Sequence, residues 1–105
     1  VEMADVDFAN VSRLEDLRSI LEEIDNSLLR VIERRISCCV RIGEYKREHD
    51  VPMMQTHRIE AAHRRAHDFA LATGLNPDFL HKLYDLLIEE TCRVEDLVIN
   101  EGRGQ

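Results

Sequence analysis

The chain contains no tryptophan, and aromatic side chains make up only 5% of its 105 residues. Its core has to come mostly from Leu, Ile and Val. Glycine and proline are almost as scarce, with 4 and 2 residues, too few for the many turns of a β-sandwich. Cysteine occurs as the adjacent pair Cys38 and Cys39 and the distant Cys92. Neighbouring cysteines cannot staple remote segments, and an odd count fits free thiols in a reducing cytosol. No Cys-x-x-Cys pair offers a foundation for a zinc site. No apolar run approaches the ~18–20 residues of a membrane span, and the opening VEMADVDFAN lacks a signal-peptide core. A cytoplasmic protein is expected. Positive charge is in deficit, with 14 Lys+Arg against 21 Asp+Glu and a net charge of −7. A general binder of nucleic acid or anionic membrane needs the opposite balance.

The residues present make one globular domain, 44% apolar and 33% charged, and their period is helical. Residues 1–13 carry no sustained pattern and read as a flexible arm. From Leu14 an apolar stripe runs through Leu17, Leu21, Ile24, Leu28, Val31, Cys38 and Ile42 in steps of three and four, with one gap. This is a seam of heptad character. It predicts a helix over about 14–47, roughly 50 Å long at about 1.5 Å per residue. A compact chain of this size has a radius of gyration near 13 Å, so a partner chain is needed to cover such a rod. Residues 48–56, with Pro52 as breaker, read as a loop. A second helix over about 57–73 shows Ile59, Ala62, Ala66 and Phe69, and Gly74 supplies a left-handed stop. Asn76-Pro77-Asp78 gives an N-cap, a proline at the first helical position and an acid in the first turn. The third helix, about 77–99, carries Leu80, Leu83, Leu87, Val94 and Val98. The domain is expected over 14–101, with 102–105 a flexible end.

Polar residues interrupt these stripes. Arg35 occupies the gap in the first seam, where an unpaired guanidinium would be costly to bury. Lys46 lies 11 residues on, only about 20° around the helix. Either cation alone fits a snorkelling surface side chain; two aligned on an apolar face point to an anion. On the third helix Thr91 breaks the stripe and Glu95 follows one turn later. Thr91 alone fits a hydroxyl bonded to its own helix, and Glu95 alone an acid at the stripe's edge. Together they suggest a polar cavity within a bundle. Glu60, His63 and His67 share one face of the second helix, but nothing supplies a convincing further ligand, and Arg64 and Arg65 crowd them. A solvated face is expected there, and no metal. No phosphate loop and no nucleophile paired with a base is present.

The segment from Leu17 to Lys46 resembles the first helix of the all-helical, AroQ-type chorismate mutases. Their pattern of Arg, Asp, Arg, Gly and Lys is matched in every interval by Arg18, Asp25, Arg35, Gly43 and Lys46. Pro52, Arg58 and a third helix ending LLIEETCRVEDLVI extend the likeness over about residues 14–100. The resemblance implies an all-α fold of three helices per chain, with exchanged long first helices forming an intertwined homodimer. It implies rearrangement of chorismate to prephenate, in which an ether C–O bond breaks while a C–C bond forms, without metal or cofactor. By that likeness Arg35 and Lys46 grip the substrate's carboxylates, with Lys46 also at the ether oxygen, and Arg18 reaches in from the partner chain. Arg58, Thr91 and Glu95 complete the pocket, Thr91 at the ring carboxylate and Glu95 at the ether oxygen. Independently, Arg18 and Arg35 stand about 25 Å apart along one helix and about 100° around it, too far to share one small ligand. The protein's part would be to select the compact conformer and place cations where negative charge grows.

Two departures from the common pattern bear on the substrate. Many members place a Glu after the second-helix arginine, against the C4 hydroxyl, whereas this chain has Ile59, and Gln55 replaces an acid earlier in the loop. This resembles relatives acting on 4-amino-4-deoxychorismate in antibiotic pathways, whose loops share a stretch like Pro52 to Gln55. It also resembles the isochorismate-pyruvate lyases, which place an aliphatic residue after that arginine. The second departure is Glu95, where most bacterial members have Gln. An ionised carboxylate and an ether oxygen are both acceptors only, so Glu95 can bond the ether oxygen only when protonated. Ionised, it would instead hold Lys46 or an arginine in place. The expected substrate is chorismate, followed by its 4-amino analogue and then isochorismate. The rival from another class is a silent helical dimerisation module, against which Arg18, Arg35 and Lys46 argue together.

Overall fold

The computed structural model describes residues 8–52 and 56–101, and every regular element among them is helical. A short 3-10 turn at Phe8–Asn10 lies within the expected arm. It is followed by α1 (Leu14–His49), α2 (Thr56–Thr73) and α3 (Pro77–Glu101). The expected three-helix, all-α class is what the chain adopts. The helices begin and end within two residues of the positions read from the sequence.

The ends have local causes. Helix α1 opens with Glu15 and Asp16 in its first turn, where acids favour the positive end of the helix dipole. It closes on Asp50, which takes φ 55°, while the Val51 N–H donates back to the Lys46 carbonyl at 3.0 Å. That is a Schellman-type stop with Asp in place of the usual Gly. Gly74, at φ 78°, does the same for α2, with the Leu75 N–H donating to the Ala70 carbonyl. Asn76 then caps α3: its Oδ1 accepts from the N–H groups of Asp78 at 2.8 Å and Phe79 at 3.3 Å.

The chain divides into two units at residues 35 and 36, inside α1. In the first, no described residue is buried, and Leu14, Leu21, Leu28, Leu29 and Val31 are exposed. In the second, α2 and α3 form a helical hairpin around Ala66, Ala70 and Leu80, with Tyr84 packed against them. The C-terminal part of α1 lies along α3 in the same direction, so that Cys39, Gly43, Lys46 and Arg47 meet Thr91, Glu95 and Val98 in order. The face making this contact is not the seam read from the sequence. Cys38 and Ile42 of that seam are exposed, whereas Cys39 and Gly43, one position further on, are buried. Helix α1 therefore carries two neighbouring faces, a small-residue face for its own α3 and a larger aliphatic face left open.

Candidate active site

Gly43 determines how closely α1 approaches α3. A β-carbon there would stand 3.1 Å from the Val98 β-carbon and 3.3 Å from the Glu95 α-carbon, one of them main chain. Gly inside a helix costs about 1 kcal/mol relative to Ala, set here against an approach that a β-carbon would crowd by a few tenths of an ångström. On either side of Gly43 the facing polar groups pair. Upstream, the Cys39 thiol lies 3.4 Å from Thr91 Oγ1, and that hydroxyl donates to the Leu87 carbonyl of its own helix at 2.9 Å. Downstream, Lys46 Nζ donates to Glu95 Oε1 at 2.7 Å. Their side chains are 13% and 6% exposed, which makes this the buried ion pair of the described residues.

One residue on, Arg47 Nη1 donates to the Val98 carbonyl at 2.9 Å. Val98 lies in the last turn of α3, where carbonyls lack partners within the helix. That turn has no basic residue of its own, so Arg47 supplies from α1 the cation that the negative end of α3 favours. The neighbouring Cys92 is half-buried. Burial first, and then the field of Glu95, push its thiol pKa up, while Lys46 pulls the other way.

Of the residues expected at the site, Lys46, Thr91 and Glu95 are thus brought together within the second unit. Arg58 and Ile59 stand in the first turn of α2, the arginine exposed and the isoleucine half-buried. Gln55 lies outside the described residues. Arg35 and Arg18 belong to the first unit, where Arg35 is half-buried and Arg18 pairs with Glu15, one turn earlier, at 3.4 Å. Among the described residues there is also a mainly apolar groove lined by Ala66, Phe69, Leu80 and Tyr84, with Arg65 and Asp68 at its wall. None of the expected site residues lines it, so the site is located by its chemistry.

Sequence reasoning did not identify Cys39 and Arg47 as contacts of α3. A signal for the first existed: Cys39 and Gly43, small residues one turn apart in a long helix, mark a face prepared for close approach. The Arg47 contact had none, because it joins residues 51 apart in sequence.

Comparison with known proteins places this geometry. The family model described as chorismate mutase type II matches residues 17–96. A 4-amino-4-deoxychorismate mutase of Streptomyces pristinaespiralis is 49% identical over 89 residues, spanning 85% of this chain and 69% of that protein. A 4-amino-4-deoxychorismate mutase of Streptomyces venezuelae is 46% identical over 89 residues, spanning 85% of this chain and 86% of that one. A chorismate mutase of Methanocaldococcus jannaschii is 22% identical over 95 residues, covering 90% and 96% of the two chains.

Proposed function

This chain belongs to the chorismate mutase type II family, and on that premise we propose that its substrate is 4-amino-4-deoxychorismate. The isomerase class follows from the family; the choice of substrate is our own reading. The observation that carries it is the identity of nearly one half with two relatives named for that reaction. Ile59 supports it, since a site that recognised a C4 hydroxyl through a carboxylate would keep an acid there. Chorismate, placed first on the sequence alone, is the second reading, favoured by the match to a chorismate mutase over nearly the whole of both chains.

The chemistry needs positive charge held against a small dianion while an ether bond breaks and a carbon–carbon bond forms. Lys46 is the group we assign to the ether oxygen, where negative charge grows in the transition state. Glu95 is a positioning residue in this reading: accepting from Lys46 at 2.7 Å suits an ionised carboxylate that aims the ammonium. Arg35 and Arg58 take the carboxylates, Thr91 the ring carboxylate, and Gln55 and Ile59 the C4 end. Arg18 reaches in from a second chain. No metal or cofactor is required, because the bonds are exchanged within one molecule.

A homodimer with exchanged first helices is part of the same proposal. It is supported by the exposed stripe Leu14, Leu21, Leu28, Val31 and Ile42, a row of large aliphatic side chains that monomers rarely leave open. Sedimentation showing a folded 12 kDa monomer would remove it. Three free thiols fit a cytoplasmic setting.

The direct test offers purified protein 4-amino-4-deoxychorismate, chorismate and isochorismate side by side, with products identified. The amino compound is expected to have the highest kcat/KM, and Ile59→Glu to shift preference toward chorismate. A wild type that turns over chorismate alone, or pyruvate released from isochorismate as the main product, overturns the assignment.

A further inference from the structure

One cluster lies outside the residues assigned to the reaction. His63 of α2 places Nε2 2.8 Å from Asp85 Oδ1 of α3, and His81, one turn before Asp85, places Nε2 3.5 Å from the other carboxylate oxygen. The two imidazoles stack with centroids 4.4 Å apart and planes inclined by 28°. One ligand atom from each of the three residues falls within 4.8 Å of the others.

We propose that His63, His81 and Asp85 form a binding site for one divalent transition-metal ion of the zinc type, clamping α2 to α3. Two imidazole nitrogens and one carboxylate oxygen are the donors that a borderline ion such as zinc takes, and that magnesium or calcium does not favour. Zinc holds nitrogen and oxygen at about 2.0–2.2 Å, so its ligands sit closer together than the 4.8 Å limit of the cluster. His81 and Asp85, more than half exposed, are free to make that adjustment. His63, 23% exposed, is the fixed member, already aimed at the carboxylate. A water completes a tetrahedral set. From the sequence alone, no convincing further ligand anywhere in the chain joins the face of Glu60, His63 and His67, and no metal is expected there; the hairpin turn at Gly74, which brings His81 and Asp85 of α3 to His63, corrects that reading. The site is independent of the rearrangement and of its substrate.

The test uses the 105-residue chain, stripped of metal by a chelator. Zinc is titrated by calorimetry and cobalt(II) is used as the spectroscopic probe. We expect one zinc per chain and cobalt d–d bands without thiolate charge transfer. Zinc should shift the imidazole resonances of His63 and His81 but not those of His49, His57 or His67. His81→Ala and Asp85→Asn, surface changes whose folding is checked by circular dichroism, should each weaken zinc at least about tenfold. Zinc should raise the melting temperature of the wild type and not that of His81→Ala. Cys38→Ser should bind zinc as the wild type does. No saturable zinc binding, unchanged affinity in His81→Ala, or a sulfur-to-cobalt band overturns the proposal.

Discussion

Exchanging Glu95 for glutamine tests the buried pair with the least disturbance of shape. The glutamine amide keeps an oxygen that accepts from Lys46 but removes the charge. The wild-type contact is 2.7 Å long between side chains 13% and 6% exposed, a charge-assisted bond where water competes little. Such bonds contribute about 1.5–3 kcal/mol, against about 0.5–1.5 for neutral ones. Glu95→Gln should therefore loosen Lys46 by about 1–2 kcal/mol, or roughly five- to thirtyfold in kcat/KM if that grip orients the ammonium. Glu95→Ala removes the acceptor altogether and should fall further, with stability lower by about 1–3 kcal/mol.

An opposing effect decides whether the reasoning stands. The negative charge of Glu95 also offsets part of the pull of Lys46 on the ether oxygen, so removing it could speed the reaction. Orientation should win, because an ammonium on a four-carbon stem is useful only where it is held. The assay is kcat/KM for wild type, Glu95→Gln and Glu95→Ala on one substrate from pH 5 to 8, with melting curves recorded alongside. The order expected at neutral pH is wild type, then the glutamine variant, then the alanine variant. Suppose instead that the wild type loses activity as pH rises while the glutamine variant is faster and independent of pH. Glu95 would then be a protonated donor to the ether oxygen, and the positioning role would be refuted.

Gly43→Ala should destabilise the protein by up to about 2 kcal/mol in urea melts, because its β-carbon would meet Val98 at 3.1 Å and overpacking of about 1–3 kcal/mol outweighs the roughly 1 kcal/mol that alanine gains over glycine inside a helix; a more stable variant would mean that Val98 gives way. Arg18→Ala and Arg35→Ala should each be inactive alone yet recover activity when mixed and reassociated, since half the sites of a heterodimer with exchanged helices carry neither lesion. Heterodimers confirmed by mass that stay inactive would put both arginines in one chain's contribution. Cys92, with its pKa pushed up by burial, holds less thiolate at pH 8 than a free cysteine and should alkylate more slowly, by a margin that narrows as pH rises; a rate equal to that of a free thiol would mean that the side chain is not buried. Cys38, exposed in one chain but on the open seam, should be protected in the assembled protein; reaction at the rate of a free thiol in a proven dimer would move the interface elsewhere.

Local features of this fold were the legible ones. Asn76-Pro77-Asp78 forms a cap through neighbours two and three residues away, so the sequence alone specified where α3 starts. Gly74 announced the end of α2 because a left-handed stop favours glycine, whereas Asp50 fills the same role without announcing it. The spacing of Lys46, Thr91 and Glu95 on their helices was visible, since polar residues on apolar stripes stand out. The Lys46–Glu95 pair stood only as the alternative for an ionised Glu95, and the Cys39–Thr91 contact was not foreseen, because registry between α1 and α3 depends on a glycine whose consequence appears only when two helices touch. The same holds for His63 and Asp85, 22 residues apart and bonded across the hairpin.

A stable bundle does not require the Lys46–Glu95 pair. A buried ion pair often does no better than well-packed apolar residues of similar volume, and is weak evidence for stability. Leu or Met at both positions would suit the stripes around them, as Val94 and Val98 do on α3. The pair also sits where the last turns of α1 and α3 come side by side, with Lys46 in the last turn of α1 and Arg47 on the Val98 carbonyl. Two negative helix ends there favour cations, and Lys46 and Arg47 supply them from α1. A fold under selection for packing alone would have no reason to concentrate cations beside a glycine-spaced contact. A site that must hold an ammonium steady against a dianion has that reason. Lys46→Met combined with Glu95→Leu, which leaves neither charge buried alone, therefore separates the two requirements: the protein should remain folded, with melting temperature kept or raised, while the rearrangement is lost by at least about a hundredfold, within the range for removing a charge-placing donor. Loss of folding together with activity would return Lys46 to a structural role.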